Sequence, residues 1–178
     1  MKSLNYLLVV LLLISACKDE TRRTPVFPAN YGSGMYIATE NGISFYDGEI
    51  VNNQIYKKVN GSSVLNGNKI KFNEDEAYFV NDNHLFIVDI ETFEAKGVVD
   101  GFINAVDFDF VSNERLFVVD KADAKVKVVD LLALDITSDI ETGDVASPSF
   151  IISKWYRSIV LNSGTVADTL KDTTIIAI

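Results

Sequence analysis

Apolar residues fall in short runs along this chain, separated by clusters of Asn, Asp, Gly and Lys. The runs recur. Tyr36-Ile37-Ala38-Thr39, Tyr78-Phe79-Val80-Asn81, Phe117-Val118-Val119-Asp120 and Ile159-Val160-Leu161-Asn162 begin 42, 39 and 42 residues apart. Each of the first three is followed by a second run ending in aspartate, at Asp47, Asp89 and Asp130, which are 42 and 41 residues apart. Between the paired runs stand Asn41-Gly42, Asn81-Asp82-Asn83 and Lys121-Ala122-Asp123. Turn-forming residues between two β-rich runs predict hairpins. After the first seventeen residues, no stretch of ten or more shows clean helical periodicity. Val, Ile, Phe and Tyr are abundant and there are only 3 Pro, so the composition favours strands.

A hairpin that returns about every forty residues predicts a β-propeller, in which four-stranded sheets stand around an axis. Each unit reads as an inner strand, two hairpin strands and an outer strand. The second unit's inner strand falls at residues 68–72. The third unit takes residues 104–110, 115–120, 125–130 and a stretch near 136–140. Blades pack on both faces, which accounts for runs such as Leu85-Phe86-Ile87-Val88 being apolar throughout. A β-sandwich also spaces strands closely, but it does not repeat one hairpin at a fixed interval.

The first seventeen residues have a different character. Lys2 is followed by an apolar run over residues 7–14, then Ser15, Ala16 and Cys17. A charged start, a short apolar middle and small residues form the secretory pattern. The run is shorter than the roughly 20 residues a spanning helix needs. Ile14-Ser15-Ala16-Cys17 resembles the lipobox of bacterial lipoproteins. That resemblance implies cleavage before Cys17 and lipid attachment to its sulfur and amine. Cys17 is the sole cysteine, so this use leaves the mature chain without a free thiol. Lys18-Asp19-Glu20 is similar to the signal that sends Bacteroidetes lipoproteins to the outer face of the outer membrane. The division expected is a signal peptide over 1–16, a lipidated cysteine and polar tether over 17–31, and a propeller over 32–178.

The strand–turn–strand unit resembles the YVTN-type β-propeller, through Tyr78-Phe79-Val80-Asn81 with residues 85–89 and through Ile159-Val160-Leu161-Asn162-Ser163-Gly164. Asn30-Tyr31-Gly32-Ser33-Gly34 with residues 43–47 resembles a group of propeller lipoproteins of gut Bacteroidetes. The likeness covers residues 30–178. It departs at the third unit, where Val119-Asp120 stands in place of a Thr-Asn or Ala-Asn pair. It implies seven blades in a whole ring, of which about three and a half are present here. It also implies work beside a TonB-dependent transporter, and some members of the group capture cobalamin. A propeller enzyme of lactonase or quinoprotein type and a structural or adhesive surface protein are the alternatives. An open propeller would leave bare sheet edges, so the expectation is a truncated product, with a half-ring that pairs with its own copy as the rival.

Charge and chemistry narrow this further. Of 16 basic residues one is Lys2, so the mature chain, with 25 acidic residues, carries a net charge of −10. Nucleic acid and anionic lipid are poor partners for such a surface. His84 is the only histidine, so neither a histidine metal site nor a Ser-His-Asp triad is expected. No cofactor is expected. Asp107 and Asp109 share one face of an inner strand and are expected to line a solvated channel. Glu74, Asp75 and Glu76 read as a solvated turn. Asp168-Thr169-Leu170 resembles an O-glycosylation motif of exported Bacteroidetes proteins. A small-molecule or glycan ligand is expected at the mouth formed by the hairpin turns and the links between blades. The candidate contacts are Asn41, Asn81, Asp82, Asn83, Phe102, Asn104, Asp120, Lys121 and Asn162, each of which also serves as a turn former.

Overall fold

The computed structural model describes residues 31–143, 147–155, 157–163 and 175–177. The expected signal peptide, Cys17 and the Asp168-Thr169-Leu170 motif lie outside the described residues. Among the described residues, fourteen strands form four antiparallel sheets and there is one short helix. The first sheet holds β1 (Met35–Thr39), β2 (Gly42–Tyr46) and β3 (Val51–Asn52), followed by α1 (Ile55–Asn60). The second holds β4 (Lys69–Asn73), β5 (Glu76–Val80), β6 (His84–Asp89) and β7 (Ala95–Asp100). The third holds β8 (Ala105–Ser112), β9 (Arg115–Asp120), β10 (Lys125–Asp130) and β11 (Asp135–Glu141). The fourth holds β12 (Pro148–Lys154), β13 (Arg157–Asn162) and β14 (Ile175–Ala177). Every sheet is a meander in chain order.

The sheets stack in sequence, each covering the next. Tyr36, Ile43 and Phe45 of the first meet Ala77, Phe79, Phe86 and Val88 of the second. The opposite face of the second, with Tyr78, Val80, Leu85, Ile87 and Val99, meets Phe108, Leu116, Val118 and Val129 of the third. Val119 and Val126 then meet Ile151 and Val160 of the fourth. Alternate residues of one strand thus enter two different cores. This two-sided burial is why the middle strands are apolar at every position. Each fully buried Phe or Leu contributes on the order of 1.5–3 kcal/mol. The radial order agrees with the propeller expectation and excludes two facing layers.

The recurring aspartates have one job. At the ends of β2, β6 and β10, the carboxylate accepts the N–H groups two and three residues on. Asp47 takes those of Glu49 and Ile50, Asp89 those of Glu91 and Thr92, and Asp130 those of Leu132 and Ala133. These bonds hold the Asp47 and Asp89 carboxyls below the usual carboxylate range, chiefly through Ile50 and Thr92 respectively.

Three details depart from the sequence reading. Tyr31, placed at the end of the tether by sequence, is buried against Phe45 and Phe93. The helix α1 was not expected. It spans six residues, too few for a period to show, and starts from Gln54 in a left-handed conformation (φ 54°, ψ 46°). Asp107 and Asp109 do not line a solvated channel. Asp107 is 2% exposed and accepts the N–H of Ile151 at 3.0 Å, while Asp109 accepts that of Ser153 at 2.6 Å. Both donors sit on the edge of β12 away from β13, so two carboxylates stand in for a missing strand. Lys71 adds its ammonium 2.9 Å from Asp109, and Lys69 and Lys71 lie 3.8 and 3.9 Å from Asp107. The three inner strands β4, β8 and β12 are thereby tied together.

Candidate functional site

The β1–β2, β5–β6 and β9–β10 turns and the links between blades share one face, as the strand directions require. The tetrapeptide ends are what organise it. Thr39, Asn81, Asp120 and Asn162 occupy equivalent places, and three of them tie their hairpin to the chain entering the same blade. Asn81 donates to Leu65 O at 3.3 Å and accepts the N–H groups of Asn83 and His84. Asp120 accepts from Ile103 N at 2.8 Å, Asn104 N at 2.9 Å and Asp123 N at 3.3 Å. Asn162 donates to Thr142 O at 3.1 Å. Asp120 and Asn162 are both 0% exposed. Their polar groups act as latches that hold the face in shape.

The other expected contacts extend the same belt. Asn83 donates to Phe102 O, Lys121 N to Asn104 O, and Asn66 to the Asp82 carboxylate at 2.8 Å. Ala105 N crosses from the third blade to Asp82 O. The Phe102 ring is buried in the core between the second and third blades. His84 is half-buried, with Nε2 3.3 Å from Asp100 and Nδ1 3.2 Å from Asn81 Oδ1.

Asn41 differs from these. It is exposed and borders a hollow of about 390 Å³ with Thr39, Ser44, Asn53 and Gln54. Among the described residues, the hollow has three amides and two hydroxyls on its wall and no charged side chain. Ser44 donates to Asn53 Oδ1 at 3.1 Å, and Thr39 to Gly42 O at 3.0 Å. Gly42 is required at the turn, where φ is 109° and a Cβ would sit 2.6 Å from Val64 O. The left-handed backbone of Gln54 turns the chain from β3 into α1 beside this turn. The hairpin signal at Asn41-Gly42 identified one wall of the hollow. Asn53 and Gln54 lie between repeats, where only a run of consecutive amides (Asn52-Asn53-Gln54) marked them. Such a wall can hydrogen-bond a neutral, many-armed polar ligand through both donors and acceptors. Among the described residues, no group of three or more His, Cys, Asp or Glu is placed to hold a metal ion.

Comparison with known proteins bears on the fold. No family model matches the chain. No curated protein matches it. Solved structures do. A quinoprotein alcohol dehydrogenase-like protein from Bacteroides thetaiotaomicron superposes with a TM-score of 0.58 at 15% identity, over 84% of this chain and 41% of that one. The WD40 domain of Pan2 from Neurospora crassa gives 0.57 at 12% identity, over 75% and 41%. The computationally designed Ika4 protein gives 0.58 at 15% identity, over 82% and 86%. The chain is an arc of a β-propeller. It spans less than half the length of the two natural proteins. At these identities the likeness concerns the fold alone.

Proposed function

We propose that this chain is the binding propeller of a lipid-anchored surface protein that captures a small polar nutrient. The observation that carries the reading is the neutral hollow at Thr39, Asn41, Ser44, Asn53 and Gln54, on a face stiffened by the latch belt. A rigid face with adaptable amides suits binding, and the described wall of the hollow is amide and hydroxyl throughout. The lipobox ending at Cys17 and the Lys18-Asp19-Glu20 run support export and retention at the outer membrane, facing outward. Two or more acyl chains make such an anchor stable. A further solved neighbour, a Bacteroides fragilis protein described as exported, has the same fold, with a TM-score of 0.50 at 13% identity over 83% of this chain.

The narrower reading is capture of cobalamin for a TonB-dependent transporter. The corrin ring carries peripheral amides, which match a wall of amides and hydroxyls donor for acceptor. Two experiments test the reading. Labelled palmitate should enter the wild-type protein in cells and not Cys17→Ala, and external protease should reach the wild type. Calorimetry of the purified protein with cobalamin should give saturable heat that Asn41→Ala with Gln54→Ala abolishes. Unlabelled protein would remove the anchor. Heat that survives the double substitution would remove the hollow as the site.

A further inference from the structure

The opposite face, where β4 meets β5, β6 meets β7, β8 meets β9 and β10 meets β11, carries a second feature. Between the second and third blades it opens a groove of about 340 Å³. Ile87, Leu131, Leu132 and Leu134 form its apolar wall, and Glu76, Tyr78, Lys96 and Asn113 the rest. Tyr78 donates to the Glu76 carboxylate, whose other oxygen lies 3.1 Å from Lys96.

The same place between the first and second blades is filled. Tyr31 occupies it, 3% exposed, its ring 5.4 Å from Phe45 and 6.0 Å from Phe93. Its N–H donates to Glu91 O, and its carbonyl accepts from the Tyr36 hydroxyl. The repeat maps these neighbours onto the open groove. Tyr36 becomes Tyr78, Phe45 becomes Ile87, Glu91 becomes Leu132, and Phe93 becomes Leu134. The match extends to the backbone, since Phe93 and Leu134 are both left-handed at φ 61° and 53°. It extends to the next ring as well, since Tyr36 packs on Phe72 and Tyr78 on Phe110. The residue 42 positions after Tyr31 is Asn73, which has no ring to supply.

Two further details favour an occupant. Leu132 is 76% exposed at a turn where the second blade has Glu91. Gly97 leaves the space in which Leu134 lies, because a Cβ there would come within 2.8 Å of its side chain. We propose that this groove binds an aromatic side chain of a partner peptide, seated as Tyr31 is seated one blade earlier. The ring would lie against Ile87 and Leu134, and the peptide N–H would donate to Leu132 O.

The probe is N-acetyl-L-tyrosinamide, which carries a phenol ring between two amides. Titrated into the methyl-labelled chain from residue 17, it should shift the Ile87, Leu131, Leu132 and Leu134 methyls saturably. N-acetyl-L-alaninamide should not. Leu132→Glu restores the second blade's residue at an exposed position and should weaken binding about tenfold, from loss of one leucine's contact. Asn73→Tyr should fill the groove from within, abolish the shifts and leave the protein folded. Saturable shifts elsewhere, no shifts at all, or equal binding by wild type and Asn73→Tyr would overturn the proposal.

Discussion

Removing the Asp120 carboxylate tests whether the tetrapeptide ends are structural latches. In Asp120→Ala, the N–H groups of Ile103 and Asn104, held at 2.8 and 2.9 Å, lose the buried carboxylate that accepts them. A hydrogen bond to a charged group contributes about 1.5–3 kcal/mol, so two of them give about 4 kcal/mol. That is a large share of the roughly 5–15 kcal/mol by which a domain of this size is stable. With a urea slope of about 2.5 kcal/mol/M, the unfolding midpoint should fall by about 1.6 M. Asp120→Asn keeps one acceptor oxygen and should lose about half as much. Asn41→Ala, at the exposed turn of the first blade, should stay within about 0.5 kcal/mol of wild type. An Asp120→Ala midpoint within about 0.4 M of wild type would refute the latch.

Other perturbations have equally definite outcomes. Gly97→Ala should cost no more than about 1 kcal/mol in urea unfolding, because the atom its Cβ meets at 2.8 Å is a terminal methyl of the exposed Leu134, which can turn away. Asp107→Ala should cost about 3 kcal/mol or more, since it orphans the Ile151 N–H and removes a buried partner of Lys69 and Lys71. Acid should destabilise the fold in a defined window. Asp47, Asp89 and Asp123 are held below the usual carboxylate range, the last by its hydrogen bond to Lys127. Their contribution is complete above pH ~4 and is lost as pH falls through the lower folded values, so the thermal midpoint should drop below pH ~4 and hold steady above pH ~5. In a spectrophotometric titration, Tyr36, pushed up to about 12 by burial first and by the charges of Tyr31 and Asp89 second, should ionise well after the exposed phenols.

The fold was legible because its signal is a recurrence. A single run such as Phe117-Val118-Val119-Asp120 could belong to any buried strand, but four copies at near-constant spacing leave few architectures. The inner strand of the second blade and the inner and outer strands of the third fell within a residue or two of their observed places for the same reason. The site was less legible, because its residues lie where the repeat breaks. Asn53 and Gln54 sit between units, and α1 is too short to show a period. The fate of Asp107 and Asp109 depended on the edge of β12, more than forty residues away, whose N–H groups no local pattern announces. Asn81, Asp120 and Asn162 were visible as turn residues. That they also reach the chain entering their own blade depended on how that chain returns, which only three dimensions set.

The radial stacking of the sheets supports every other statement about this protein, and methyl–methyl Overhauser contacts read it directly. Contacts are expected from Val80 and Leu85 to Leu116 and Val118, and from Val119 to Val160, with none linking Ile43 to Ile151 or Val160. Contacts between Ile43 and the Ile151 and Val160 pair would place the first sheet against the fourth and contradict the arc.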